Sequence, residues 1–417
     1  MKQRTLPSLL LALVCLAADW PQWRGANRDD VSRETGLLKT WPDKGPRLLG
    51  TFEEAGIGYS GLAVVGDRFY TLGADAQVEY AFAVDLKTLK KAWSTEVGKF
   101  YKNAWGSGPR STPTVDGPLT YVLSGEGNLV CLKTATGEKV WSKSLSMDLG
   151  GGRPNWGYTE SVLVDGDQVV CTPGGGKGAI AALNKQTGDL IWQSKEFTDG
   201  AQYSSLVPAE IGGVRQYVQM TAGSVVGVAA KDGKLLWHMA KSNPTAAVPT
   251  PIVAGDLVYA TSGYSAGCAL YKIEGNGGGL NATEVYANKN MVNHHGGVVR
   301  IDDYLYGFSE GKNWICQDLK TGEIVWQERR FPKGSVTFAD GNLYCFGEDS
   351  GSVALVEATP KGWNEKGRFT IPQRTKQSFP RNRRAGNNVW THPVAANGKL
   401  FLRDQEFIFV YDVSQAQ

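Results

Sequence analysis

The stretch CLKTATGEKVW, Cys131 to Trp141, decides the fold because the chain writes it repeatedly. It returns as ALNKQTGDLIW at 182–192 and CQDLKTGEIVW at 316–326, with looser copies GVAAKDGKLLW at 227–237 and AVDLKTLKKAW at 83–93. In each copy a Trp stands four residues after the turn residue, which is Gly in four copies and Leu89 in the fifth. A motif copied this often is an architecture before it is a site. Each copy extends upstream into a unit: a small-polar start, an alternating apolar run, a Gly/Asp turn, a second strand, then the Trp hairpin. Residues 112–141 and 161–192 show all of it, while 250–286 and 335–369 place Tyr286 and Phe369 in the Trp slot. The series Trp93, Trp141, Trp192, Trp237, Tyr286, Trp326, Phe369 steps by 48, 51, 45, 49, 40 and 43 residues. That period, with four strands per unit, predicts β-propeller blades.

Seven units are complete, and an eighth, residues 391–413, stops short of a fourth strand. The early segment GPRLLGTFEE at 45–54 supplies the missing one. The expectation is an all-β, eight-bladed propeller over 46–413, with four-stranded antiparallel blades and Leu48–Phe52 closing the last blade as its outermost strand. A closed ring leaves no strand edge between the first and last blades. Residues 19–45 form an N-terminal extension and 414–417 a short tail. The turn Gly supplies the positive φ of a tight hairpin, and the aromatic packs across to the next blade. Val140, Ile191, Leu236 and Val325 sit beside the Trp on the opposite strand face, so the outer strands are expected to be packed on both faces.

The N-terminus reads as a secretory leader over 1–18. Lys2 and Arg4 precede a 13-residue apolar core, Leu6 to Ala18, which is too short to span a membrane. Val14 before Cys15 is bulky where lipid-modified cysteines follow a small residue, so the expectation is a periplasmic or secreted protein without a lipid anchor. Cys131, Cys171, Cys268, Cys316 and Cys345 remain after the leader, an odd number with no CxxC spacing, which excludes a disulfide framework and a zinc cluster. Losing Lys2 and Arg4 takes the net charge from +3 to +1. Segment 361–384 holds eight cations against Glu365, a net of +7, leaving the remainder about −6. This patch lies in segment 361–386, which reads as the largest irregular connection with no β alternation, and with the basic loop at 372–389 it is a candidate surface for an anionic partner. A solvated loop is the plain alternative, and an exported chain has no nucleic-acid partner.

The hairpins TATGEKVW, KQTGDLIW and LKTGEIVW resemble the repeats of the pyrroloquinoline-quinone-type propeller superfamily over nearly the whole mature chain. That superfamily includes quinoprotein alcohol dehydrogenases, a non-catalytic outer-membrane assembly lipoprotein, and secreted propellers of unassigned role. The opening at 19–41 and the closing LFLRDQEFIFVYDV at 400–413 look most like the last group, as found in planctomycete-like bacteria. Resemblance to the dehydrogenases would imply calcium, a catalytic Asp, an aromatic floor under the quinone and often two adjacent cysteines. The chain has no Cys-Cys pair and no long blade insertions, so no calcium ligand is carried over.

Propellers bind ligands where the chain enters each innermost strand. Those entries carry Tyr59, Trp105, Arg110, Trp156, Tyr158, Glu160, Tyr203, His294, His295, Trp390 and His392. Aromatic, Arg, His and carboxylate groups on one rim resemble a binding pocket, although any propeller collects such side chains there. Adjacent histidines on a strand point to opposite faces, so NHHGG at 293–297 is not expected to hold a metal. PGGGKGAI at 173–180 lacks the Lys-Ser/Thr pair and helix of a phosphate loop. The leading reading is a monomeric, non-catalytic binding or scaffold propeller without a cofactor. Its rim would take a protein, a polysaccharide or a small polar ligand. The alternative is a dehydrogenase of alcohols or sugars using pyrroloquinoline quinone with calcium. A polysaccharide hydrolase or lyase would need paired carboxylates, and only Glu160 stands at the rim.

Overall fold

A computed structural model describes residues 18–243, 245–275, 279–377 and 388–415. Most of the leader, Cys15 and the cations Arg381, Arg383 and Arg384 lie outside the described residues. Eight antiparallel sheets follow one another along the chain, one per repeat. Blade 2 is typical, with strands Thr114–Asp116, Leu119–Leu123, Asn128–Lys133 and Lys139–Ser144 in sequence order from one sheet edge to the other. The first, innermost strand is short, three residues in this blade, because eight sheets crowd around one axis. Blade 8 closes as its sequence requires: Arg47–Phe52 pairs antiparallel with Phe407–Asp412, Leu48 opposite Tyr411 and Phe52 opposite Ile408.

The repeated aromatics bind blade to blade. Trp93 donates Nε1–H to Thr134 O, Trp141 to Lys185 O and Trp192 to Ala230 O, at 3.0–3.1 Å, and each acceptor lies in the following blade. Trp326 reaches Thr359 O in the same way, and the Tyr286 hydroxyl reaches Leu319 O. Trp237 differs, donating within its own blade to Gln216 Oε1. Phe369 has no donor and instead packs edge-on against Trp41 of the N-terminal extension. The hairpin Gly therefore answers two demands. Gly188 has φ +75°, and a Cβ there would lie 2.8 Å from the Trp141 indole.

One packing expectation is corrected. Val140, Ile191 and Val325 are 42%, 47% and 42% exposed. Blades diverge as they radiate, so the neighbouring blade covers the outermost strand on its Trp face only. The basic segment is corrected as well: Glu365–Thr370 is the fourth strand of blade 7, not an irregular connection. Lys366 pairs with Glu357, Arg368 with Glu365 and Arg374 with Asp404. Much of its described charge is thus answered within the fold.

The extension is a plug. Trp20 pairs with Val64 in blade 1, and Pro21 O accepts from Val115 N in blade 2. Arg28 donates to Ser161 O and Val162 O at the entry to blade 3, and Arg24 to Val298 O in blade 6. Trp23 Nε1–H reaches Thr250 Oγ1 before blade 5. Val31–Ser32 then adds a parallel fifth strand to the inner edge of blade 7. Arg24, Arg28 and Asp30 are each at most 2% exposed, so this segment fills the central channel.

Candidate functional site

At one end of the channel the strand entries surround a cavity of about 450 Å³, with Trp23 of the plug in its lining. Eight of the eleven rim residues read from the sequence line it. Blade 1 contributes Tyr59, blade 2 Trp105 and Arg110, and blade 3 Trp156. Tyr203 comes from blade 4, His294 and His295 from blade 6, and Trp390 from blade 8. A run of rings forms one wall: Tyr264 to His294 at 4.4 Å between centroids, His294 to His295 at 3.6 Å, His295 to Trp390 at 4.8 Å and Trp390 to Tyr59 at 4.6 Å. Trp156 and Tyr203 pack at 5.6 Å, and the Tyr203 hydroxyl accepts from Trp156 N. Trp105 is 44% exposed.

The histidine pair corrects the sequence reading. Both residues lie in the loop before strand Val298–Ile301, not on it, so strand alternation does not apply and both rings face one cavity. Burial holds His294 down at about 3, helped by the Lys333 ammonium, whose Nζ lies 2.6 Å from its Nδ1. His295 is held well below its ordinary range by burial and by the neighbouring His294 and cations. Two neutral, stacked imidazoles result. Among the described residues no group of three or more His, Cys, Asp or Glu converges as metal ligands.

Three rim residues fall outside the cavity lining. Tyr158 is buried in the core between blades 2 and 3 and donates to Pro173 O. Glu160, 2% exposed, accepts from Thr172 N, Thr172 Oγ1 and Gln219 Nε2. Burial raises its carboxyl to about 7. His392 sits beneath, between Asp30 Oδ2 and His295 O, its ring 4.7 Å from Trp23.

The sequence reading missed Trp23, Tyr264, Glu348 and Asn388, which also line the cavity. Tyr264 and Glu348 stand in loops joining second to third strands. An antiparallel blade returns those loops to the end where its first strand enters, and reading them beside the entries would have found both. Glu348 accepts from Trp390 Nε1 at 2.8 Å and Asn388 Nδ2 at 2.9 Å, with Lys333 Nζ at 3.3 Å.

Eight four-stranded blades, indole-tied and closed by an N-terminal strand, define a quinoprotein-type β-propeller. Residues 59–328 match the family model described as outer membrane protein assembly factor BamB, and the chain belongs to that family. It is 26% identical over 252 residues to the BamB of Burkholderia pseudomallei, covering 50% of this chain and 63% of that one. With the BamB of Shewanella oneidensis it shares 24% over 272 residues, 62% and 66% of the two chains. The chain thus spans just under two thirds of these relatives' length. Among solved structures, BamB from Moraxella catarrhalis superposes with a TM-score of 0.60 at 14% identity, covering 89% of this chain and 98% of that one. The quinohemoprotein alcohol dehydrogenase ADHIIG from Pseudomonas putida HK5 gives 0.67 at 12%, covering 96% and 81%. At such identities the likeness shows the fold alone.

Proposed function

We propose that the chain is an exported, monomeric, non-catalytic propeller that holds a partner at the mouth of its plugged channel. The observation that carries this reading is the cavity itself. Every blade but the seventh lends it a strand-entry residue, the seventh lends Glu348, and the plug closes it below. An aromatic-lined recess of about 450 Å³ with a few polar groups is the form of a binding site. The leader at 1–18 and the outer-membrane role in the relatives' name support export and favour a protein of the cell envelope as the partner.

A calcium–quinone pair does not fit these residues. Calcium takes six to eight oxygens, usually with carboxylates among them. Among the described residues Glu348 is the sole carboxylate lining the cavity, and it is already bonded to Trp390, Asn388 and the cationic Lys333. Paired carboxylates for sugar chemistry are likewise missing from the described lining, since Glu160 is buried away from it.

A photoreactive amino acid placed at Trp105, on the cavity mouth, tests the reading in producing cells. It should give a discrete envelope-protein adduct that the same group at Val325, on the outer edge, does not. Adducts at Val325 alone, or at neither position, would sink the proposal.

A further inference from the structure

We propose that the cavity selects a planar ring carrying one carboxylate, with the anion on Arg110 and the ring against the aromatic wall. The inference rests on the channel mouth being the binding site and adds a small-molecule ligand, separate from the protein partner, that the recess takes.

The argument begins with the charges. Glu348 is answered by Lys333 at 3.3 Å. Arg110 has no carboxylate within ion-pair distance among the described residues. Its Nη1 and Nη2 donate to Gly108 O and Gly106 O on its own loop, and its guanidinium lies over Tyr59 at 5.6 Å and Tyr101 at 5.2 Å. A guanidinium has five N–H donors in a fork that matches a carboxylate, so two bonds to carbonyls leave capacity unspent. The nearby carboxyl of Glu79 accepts from Gly125 N and Tyr101 N, and burial raises it to about 7, which withholds much of its negative charge near neutrality. The two cavity histidines are neutral. On the lining Arg110 is the one cation among the described residues and Glu348, paired with Lys333, the one carboxylate, while Glu310 stands behind His294 at 3.4 Å. Arg110 is thus the cation that faces the recess without a carboxylate partner, in apolar surroundings where its charge is strongly felt.

One cation calls for one anion. A phosphate dianion would meet a single guanidinium rather than a cluster. The run of rings from Tyr264 to Tyr59, edge-on at Tyr264 and tilted thereafter, offers ring faces and edges, and offset or edge-on packing against them suits a planar ring. Polar atoms left without a partner on the same lining, His295 Nδ1 and Asn388 Oδ1, can orient a ring substituent.

Calorimetric titration of the intact protein at pH 7 tests this with three probes: 2-naphthoate, its neutral amide 2-naphthamide, and glucuronate. Naphthoate should bind at least tenfold tighter than naphthamide and tighter than glucuronate, and the tenfold preference should vanish in a folded Arg110→Met variant. Equal binding of naphthoate and its amide, or no binding of either, overturns the proposal on the unaltered protein even if the variant fails to fold. Glucuronate as the tightest probe overturns the planar ring. Should the Trp105 adduct form while naphthoate shows no preference, this inference fails and the partner reading stands.

Discussion

Gly188 and Trp141 form a single contact made by residues 47 positions apart, since the indole occupies the space a Cβ would take. Trp141→Ala should cost about 3–5 kcal/mol, the range for deleting a buried large aromatic. Gly188→Ala should cost about 1–3 kcal/mol from its positive φ, with the indole clash adding to it. The double variant should be less destabilised in denaturant unfolding than the sum of the two, because the clash disappears with the indole. Strict additivity would refute the stacking. Glu160 makes a pH prediction. Its folded value of about 7 exceeds the ordinary 4.5, so the stability it contributes is full below 4.5 and is lost as pH rises through 7. The span corresponds to at most about 3 kcal/mol. Glu160→Gln removes that titration, so relative to wild type it should gain stability between pH 5 and pH 8. A wild-type-minus-variant melting difference that stays flat over this range would contradict the assignment. Residues that repeat were legible from the sequence, since an aromatic returning every 40–51 positions announces its role. Tyr158, Glu160 and His392 were misplaced because strand entries are irregular. No periodicity says whether Trp156 or Tyr158 turns toward the axis.

Among elements, the closing strand was legible and the plug was not. Arg47–Phe52 could be placed because the eighth unit lacked a strand and one early apolar run had no other home. The plug makes its bonds through side chains to carbonyls of distant blades, Arg28 to Ser161 O and Arg24 to Val298 O, and such contacts leave no pattern in the local sequence. Removing residues 1–55 takes away both elements. The truncated chain should lose soluble monomer or show a sharply lower melting temperature, and unaltered cooperative unfolding would disprove the closure. Val140, Ile191 and Val325 show the limit of reading strand faces alone. Apolar alternation marks a surface that can be covered but does not say how far the next blade extends.

For the whole molecule, the repeat determined the architecture early while the use of its channel stayed open, because many chemistries share this fold. Adding pyrroloquinoline quinone with calcium should confer no dye-linked alcohol oxidation. Calcium-dependent turnover of an alcohol would return the dehydrogenase to the lead. The plug also carries a consequence in time. Asp30 O accepts from Phe338 N, and the Asp30 carboxylate meets His392, so a segment made ahead of every blade has partners in the seventh blade and at the entry to the eighth. Contacts of such sequence separation form late, after the intervening chain has been ordered. The recess therefore acquires its complete floor and wall only when the ring has closed, and a chain stalled at six blades lacks Glu348, Asn388 and Trp390. Competence to capture a partner is, in this molecule, a certificate of completed folding.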